Sequence, residues 1–370
     1  MKSINKSDIV IYTALFLFTV NVSAQDFDEL EFGTDSTFEI LTWNIEWFPK
    51  NGQITVDYVT QIIQALEIDV LAIQEVSDTL LFNQMLDELT GYESYYQSAW
   101  FAGLAYIYKT NAIEINDIYE IYTTAPYWSP FPRSPMVMDM TYLGENIIII
   151  NNHFKCCGDG YLDLDDPDDE ETRRYLASNL LKEYIDTNFS NNNVIVLGDL
   201  NDILTDDTEN NVFQMILNDT ENYLFADMEI ATGNSSGWSY PWWPSHIDHI
   251  LITNELFDEF ENESSKVQTI KIDEFMDGGF DEYYENISDH RPVALKLEFI
   301  ALSDGDVNGD GVTDIIDVNI LVDFILGNQI PTPSQFAAAD LNQDTIIDVM
   351  DIVLLVDLIL GSTLLPVQTR

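Results

Sequence analysis

The stretch Asn193 to Asp202, NVIVLGDLND, sets an acid, an amide and a second acid directly after a short apolar run. Val194 to Leu197 reads as a buried strand bounded by turn residues. Gly198 lets the backbone turn there, or lets something approach it closely. Asp199 and Asn201 then project a carboxylate and a neutral donor from the carboxyl end of the strand, where open α/β sheets bind ligands. Taken alone, the motif reads at least as readily as a capping turn. Its company argues for chemistry. Asn44 and Glu46 follow Leu41-Thr42-Trp43, Gln74-Glu75 ends Val70 to Ile73, and His153 ends a run that includes Ile147 to Ile150. Asp248 lies within HIDH (246–249), and Asp289-His290-Arg291-Pro292 precedes the last apolar run. Histidines, ligand-type carboxylates and amides in this mixture suit a metal-assisted phosphoryl site. Glu75 is a hard oxygen ligand of the kind that holds Mg²⁺ alongside several waters. Such an ion polarises a phosphoryl oxygen and stabilises a leaving group, while an imidazole held by a carboxylate donates to phosphate or positions a proton. His246 and His249 fit the site less well and read as packed or solvated histidines.

The elements that must carry these residues alternate along the chain. Phe38 to Asn44, Val70 to Val76, Gly103 to Lys109, Asn146 to Phe154, Ile247 to Thr253 and Pro292 to Phe299 read as strands. Val59, Ile62, Ile63 and Leu66 recur at helical spacing, and Glu170 to Phe189 places Leu176, Leu180, Leu181, Tyr184 and Ile185 on one helical face. Strands of mixed spacing outnumber helices, so two sheets packed face to face with outer helices fit better than one parallel sheet. Residues 25–36 read as a loose acidic lead-in.

After Ala301 the character changes. DVNGDGVTDIID (306–317) and DLNQDTIIDVMD (340–351) repeat at an offset of 34 residues, and Asp323/Asp357 and Gly327/Gly361 keep the same offset. Each loop sets oxygen side chains at its first, third, fifth, ninth and twelfth positions, as a calcium loop opening a helix does. The calcium candidates are Asp306, Asn308, Asp310, Asp314 and Asp317, then Asp340, Asn342, Asp344, Asp348 and Asp351. Thr345 stands where the first loop has Gly311, at a tight turn that favours glycine. The helices Val318 to Leu326 and Ile352 to Leu360 are apolar almost all round and are expected to bury against each other.

The 370 residues favour two domains over one, and 46% hydrophobic content suffices for a sizeable core. Lys2 and Lys6, the apolar run Ile9 to Val22 and the small residues ending at Ala24 have the order of a secretory signal cleaved after Ala24. With that leader removed, no integral membrane segment is expected. Against 65 acids stand only 14 Lys and Arg, for a net charge of −51. Such a surface repels nucleic acid and anionic membranes, over a reach of ~10 Å at 0.1 M salt. Of the few cations, Arg133, Lys155 and Arg291 fall inside the motifs, as a phosphate site requires. The two cysteines, Cys156 and Cys157, are adjacent, which suits neither a disulfide framework nor a zinc site; a vicinal disulfide and two free thiols both fit.

LTWNIEWF (41–48), IQEV (73–76), NNHFKC (151–156), GDLND (198–202), HIDHIL (246–251) and SDHRPV (288–293) together resemble the endonuclease/exonuclease/phosphatase superfamily, over about Phe38 to Ile300. The resemblance implies an α/β fold, a four-layer αββα sandwich of two mixed sheets with helices outside, over 37–300, and Mg²⁺- or Mn²⁺-dependent phosphoester hydrolysis. It assigns the metal to Glu75, with Glu46 and Asp289, and support from Asn44. It makes Asp199 the group that orients or deprotonates the attacking water, and Asn201 a donor to the oxyanion. It sets His153 and His290 on the scissile phosphate, pairs Asp248 with His290, and puts Asn44 and Arg133 on the substrate-binding side. Many members carry Tyr where this chain has His249.

The C-terminal pair (301–362, before a tail at 363–370) resembles a dockerin, which implies a cohesin-like partner. At the tenth and eleventh loop positions, typically polar, this chain has Ile315-Ile316 and Val349-Met350. The favoured expectation is a secreted, monomeric nuclease acting on extracellular nucleic acid. A sphingomyelinase-like or inositol-phosphate phosphodiesterase is the alternative, and a non-catalytic surface-binding module the second. The aromatic stretches Tyr127-Trp128 and Trp238 to Trp243 would stack on bases in the first case, at ~1–3 kcal/mol each, or enter the lipid interface in the second.

Overall fold

The computed structural model describes residues 27–361 apart from 28, 35, 97–101, 300, 301, 303 and 332. The expected leader at 1–24 and tail at 363–370 lie outside the described residues. The strands are β1 (Phe38–Phe48), β2 (Val70–Val76), β3 (Tyr92–Tyr96), β4 (Gly103–Lys109), β5 (Glu114–Glu120) and β6 (Met136–Tyr142). They continue with β7 (Glu145–His153), β8 (Asn193–Asp199), β9 (Tyr223–Phe225), β10 (Asp248–Thr253), β11 (Lys266–Thr269) and β12 (Val293–Leu297). Helices are α1 (Gly52–Leu66), α2 (Thr79–Glu88), α3 (Glu170–Asn188), α4 (Gln214–Leu217), α5 (Met228–Ala231), α6 (Phe257–Glu261), α7 (Gly279–Asn286), α8 (Ile315–Leu326), α9 (Pro333–Ala339) and α10 (Val349–Ile359).

Two six-stranded sheets form, in the orders β11-β12-β1-β2-β4-β3 and β5-β6-β7-β8-β10-β9. Their centres mirror each other. In each, a parallel pair (β1 with β2, β7 with β8) is flanked by antiparallel neighbours. Side-chain alternation divides every central strand between two cores. Phe38 and Ile40 of β1, Ile147 and Ile149 of β7, Ile195 and Leu197 of β8 and Ile250 and Ile252 of β10 fill the space between the sheets. Leu41 and Trp43 face the layer of α1, α2 and α7, while Ile148, Ile150, Val194, Val196 and Leu251 face that of α3. The result is the four-layer αββα sandwich. Each large apolar side chain taken fully from water contributes ~1.5–3 kcal/mol.

Two expectations require correction. The lead-in is not loose where it is described: Phe27, Leu30 and Phe32 are buried in the core of the first helix layer, and Gly33 N–H donates to Leu66 O at 2.9 Å. Apolar residues spaced among the acids find a place against α1 that composition conceals. On α3 the buried stripe is Arg174, Ala177, Ser178, Leu181 and Ile185, and Leu176 is exposed; small residues let the helix approach the sheet, and Arg174 is buried because every face of its guanidinium finds an acceptor. The helices α8 and α10 meet through Leu321 and Leu355 as expected, and Ile315, Ile316, Val349 and Met350, at the loop ends that open them, are exposed.

In both C-terminal loops the first and twelfth positions tie the backbone. Asp306 accepts from the N–H groups of Gly309 and Gly311, and Asp317 from those of Val307, Asn308 and Asp314. Asp340 and Asp351 do the same in the second loop, with Asp314 and Asp348 capping α8 and α10. Gly311 and Thr345 occupy the same left-handed backbone region, at φ +79° and +68°.

Candidate active site

Alternation aims the motif residues. Asn44 continues the inward series Phe38, Ile40, Thr42; Asp199 continues Ile195, Leu197; His153 continues Ile147, Ile149, Asn151; Asp248 begins the series Ile250, Ile252. All four therefore leave the inter-sheet core at one end of the sandwich. Beneath them a buried polar layer joins the sheets. Gln74 Nε2 donates to Asn151 Oδ1 at 2.8 Å, and Asn151 Nδ2 donates to Ile73 O and Ala105 O at 3.1 Å each. Tyr106 OH accepts from Asn151 N–H at 2.9 Å and donates to Met136 O at 2.8 Å.

Glu75 breaks the pattern. Its neighbours Leu71 and Ile73 face the helices, so simple alternation would turn Glu75 away from the cleft. Instead its φ is +68°, and the pairing of β2 with β4 shifts register between Ile73 and Val76. Such a bulge re-aims a side chain, and left-handed backbone in a non-glycine residue is strain of the kind concentrated at functional sites. Glu46, Trp47 and Asn201 also have positive φ, at +34°, +53° and +55°. Gly198 is required for another reason. A Cβ there would lie 2.0 Å from Asn152 O, so only glycine lets β7 and β8 close at their carboxyl ends.

The cleft so formed encloses ≈ 390 Å³ and is lined by Asn44, Glu46, Trp47, Glu75, His153, Asp199, Asn201, Tyr240, Asp289 and His290, with Cys156 and Cys157 at one wall. Asn44 Nδ2 lies 3.0 Å from Asp199 Oδ2 and 3.3 Å from Glu75 Oε1. Trp47 N–H donates to Glu75 Oε2 at 3.0 Å. His153 Nε2 is 3.5 Å from Asp199 Oδ2 and 3.8 Å from Glu75 Oε1; His290 Nε2 is 3.8 Å from the same Asp199 oxygen. His290 Nδ1 meets Asp248 Oδ2 at 2.8 Å. Asn201 N–H caps Asp199 Oδ1 at 3.1 Å, while its amide donates to Phe154 O at 3.3 Å. Glu46 accepts from Asp289 N–H at 2.9 Å and pairs with Lys50.

Electrostatics divide the two histidines. Burial would lower His290, but the carboxylates of Asp248, Asp199 and Asp289 outweigh it and lift the imidazole to about 10. His153 is buried with its Nδ1 unpaired, and Arg133 and His290 add to burial in holding it well below the usual value. Burial, helped by Asp248 and Glu75 and opposed by His290 and Asn44, raises Asp199 to about 7. The cleft thus holds one imidazolium, one neutral imidazole and more carboxylates than its cations balance.

Of the remaining cations of the motifs, Arg291 and Lys155 take other posts, while Arg133 stays close enough to act on His153. Arg291 turns away from the cleft and forms a two-pronged pair with Asp273, at 2.8 and 2.5 Å, so it is not the phosphate cation anticipated. Lys155 Nζ donates to Cys156 O at 2.8 Å and lies 3.5 Å from Glu170. Arg133 Nε donates to Ala102 O at 3.0 Å. Asp202 is the partner of buried Arg174, Nε to Oδ2 at 2.7 Å, and accepts from Ile203 N–H through Oδ1 at 2.9 Å. The two cysteines stand as thiols, with Sγ atoms 3.0 Å apart.

His249, one residue past the inward Asp248, faces the α3 layer. There its Nδ1 meets Asp227 Oδ2 at 2.6 Å and its Nε2 meets Asp202 O at 2.9 Å. A carbonyl and a carboxylate both accept, so His249 carries both protons. His246 Nε2 shares the same Asp227 oxygen at 3.0 Å, while its Nδ1 accepts from Ser239 N–H. Sequence reasoning did not find Asp227, nor Ser288, whose Oγ donates to Asn44 O and accepts from His290 N–H. Nor did it find Tyr283, whose OH donates to His290 O at 2.5 Å and accepts from Trp43 Nε1. Ser288 opens the SDHRPV motif (288–293), and that place was the one available signal.

Residues 41–290 match the model of the endonuclease/exonuclease/phosphatase family, and 304–360 that of the dockerin type I domain. Among solved structures, zebrafish (D. rerio) TDP2 complexed with a single-strand DNA product superposes with a TM-score of 0.53 at 14% identity, covering 72% of this chain and 100% of that one. An endonuclease/exonuclease/phosphatase from Bacteroides vulgatus gives 0.51 at 16%, covering 71% and 99%. The human nocturnin catalytic domain with bound sulfate gives 0.51 at 15%, covering 71% and 94%. These likenesses establish a shared fold. No curated protein matches the chain. With its family model spanning 41–290 on that fold, the chain belongs to the endonuclease/exonuclease/phosphatase family, whose members are phosphoester hydrolases.

Proposed function

We propose that this chain is a secreted, divalent-metal-dependent phosphodiesterase whose favoured substrate is nucleic acid. The observation that carries the reading is the convergence of Glu75, Asp199 and the Asp248–His290 pair from both sheets onto one cleft. The donor set suits Mg²⁺ or Mn²⁺: hard carboxylate oxygens of Glu75, Glu46 and Asp289, with Asn44 beside them, and an excess of negative charge that a cation relieves. When bound, such an ion polarises a phosphoryl oxygen and offsets charge on the leaving group. The chain's own groups do the rest. Asp199, anchored by Asn44 and the Asn201 N–H, orients the attacking water and takes its proton. His290, kept protonated by Asp248, donates to a phosphate oxygen through Nε2. His153 stays neutral and offers Nε2 near the same Asp199 oxygen, at 3.5 Å. The second amide hydrogen of Asn201 is available to the oxyanion.

Nucleic acid is favoured by the rim. Tyr240 lies against His290 with ring centroids 4.9 Å apart, and Trp242 stacks on Tyr284 at 4.7 Å and 10°. Trp242 and Trp243 are 59% and 77% exposed, and rings set beside a cleft stack on bases whatever their sequence. A net charge of −51 disfavours duplex recognition through phosphates, so single strands and short products suit the rim best; TDP2, on the same fold, holds a single-strand DNA product. The same exposed tryptophans support a phospholipid substrate as the second reading. Purified protein with Mg²⁺ and Ca²⁺, offered single-stranded DNA, RNA, supercoiled plasmid, sphingomyelin liposomes and a phosphomonoester, decides between them. Release of choline phosphate with all nucleic acid intact overturns the nuclease reading. The C-terminal repeat is proposed to fold on two calcium ions and to dock the monomeric enzyme on a cohesin-like partner. Chelation is then expected to remove helical circular dichroism, and an unchanged spectrum rejects the calcium assignment.

A further inference from the structure

Outside the cleft, the loop between β7 and α3 gathers a second set of oxygen ligands. Asp159, Asp169 and Glu171 each place one carboxylate oxygen within 4.8 Å of the other two. Asp159 is exposed and Asp169 half-buried, but Glu171 is only 2% exposed. Glu171 Oε1 accepts from Gly160 N–H at 2.6 Å and lies 3.1 Å from Arg174 Nη2. Its Oε2 is buried without a hydrogen-bond partner. A buried anionic oxygen lacking a donor is strongly disfavoured unless a cation satisfies it. The loop is shaped to cover it: a Cβ at Gly158, at φ +114°, would fall 2.2 Å from Glu171 Oε1. The hydrogen bonds of the other two carboxylates use one oxygen each, Asp159 Oδ1 from Tyr161 N–H and Asp169 Oδ2 from Thr172 N–H and Asp163 N–H.

We propose that Asp159, Asp169 and Glu171 bind one Ca²⁺, which fastens the loop 155–169 to the start of α3. Three anionic oxygens, with no nitrogen or sulfur ligand among them, select a hard cation. A loop able to add carbonyls and waters suits the larger, geometrically tolerant Ca²⁺ better than Mg²⁺. The single guanidinium of Arg174 leaves the cluster net negative. The ion would act on the cleft through that same arginine. Arg174 Nη1 donates to Lys155 O and Cys157 O at 2.7 Å each, and its Nε to Asp202. Holding Glu171 therefore holds Arg174, which in turn holds the Cys156-Cys157 wall and the turn after Asp199.

The test uses the full chain with Mg²⁺ in excess and counts Ca²⁺ equivalents by calorimetry and equilibrium dialysis. The double variant Asp159→Asn/Asp169→Asn, in which the amide oxygen at position 169 can still cap α3, is expected to bind one Ca²⁺ fewer than the wild type. Trypsin cleavage after Lys155 provides an independent reading: at ten times its Kd, Ca²⁺ is expected to slow it about tenfold in the wild type and to leave the double variant unaffected. An Asp306→Asn/Asp340→Asn variant, altered only in the C-terminal loops, is expected to keep the protection. Equal stoichiometry in the wild type and the Asp159→Asn/Asp169→Asn variant overturns the proposal, as does protection that is lost with the C-terminal substitutions alone.

Discussion

Asn44 Nδ2 stands 3.0 Å from Asp199 Oδ2, a single hydrogen bond that joins the centre of one sheet to the centre of the other at the floor of the cleft. The same nitrogen is 3.3 Å from Glu75 Oε1, so one amide sets the spacing between the proposed base and the proposed metal ligand. Neither sheet alone has a site.

Replacing Asn44 with Ala is expected to lower kcat by ~10²-fold while leaving KM for the free substrate nearly unchanged, because it frees Asp199 without removing a phosphate contact. Asp199→Ala and His290→Ala are expected to cost ~10²–10⁴-fold in kcat/KM, with melting curves close to wild type. Steady-state kinetics on whichever substrate the assay selects, with calorimetry on each variant, checks both. Activity within tenfold of wild type for Asp199→Ala would sink the mechanism.

The pH profile of kcat/KM is expected to be bell-shaped. Asp199 must be ionised, and burial sets its value at about 7 before any cation lowers it, so the acid limb falls at or below that pH. His290 must be protonated, and its value of about 10 sets the alkaline limb. In Asp248→Asn a carboxylate that favours the imidazolium is gone. The alkaline limb must then move to lower pH, and a limb that stays in place separates His290 from catalysis.

The Asp227–His249 pair makes stability depend on pH in both directions. Burial would raise Asp227, but His249 and His246 outweigh it and hold the carboxyl well below its usual range. Its contribution is present above the unfolded value near ~4 and is lost as pH falls through the folded one. Burial would lower His249, but the Asp227 carboxylate raises it. That contribution is complete below the unfolded value near ~6.5 and is lost as pH rises through the folded one. Asp227→Asn is expected to destabilise by ~3–5 kcal/mol between those limits, with the deficit shrinking on the alkaline side. Thermal melts of both proteins from pH 4 to 9 read it directly.

Two backbone positions give opposite results on substitution. Gly198→Ala would force a Cβ to within 2.0 Å of Asn152 O and is expected to destabilise by about 3 kcal/mol or more. Thr345→Gly relieves a β-branched residue held at φ +68°. It is expected to stabilise the calcium-loaded repeat by ~1 kcal/mol, seen as a higher melting midpoint of the C-terminal transition.

Sequence by itself determined much of this protein, because alternation and periodicity are local. The inward series of β1, β7, β8 and β10 carry Asn44, His153, Asp199 and Asp248 to one end of the sandwich whatever the details of packing. The loops at 306–317 and 340–351 announce themselves by spacing. Tertiary structure decided what depends on strand register and on contacts between distant segments. Alternation alone would have turned Glu75 toward the helices, and only a bulge in β2 brings it into the cleft. Arg291 is next to His290 in sequence yet pairs with Asp273, a partner that only the tertiary fold brings near. Asp227, Tyr106 and Arg174 belong to no motif; each matters because buried polar atoms need partners, and which partners are near is fixed only when the layers close.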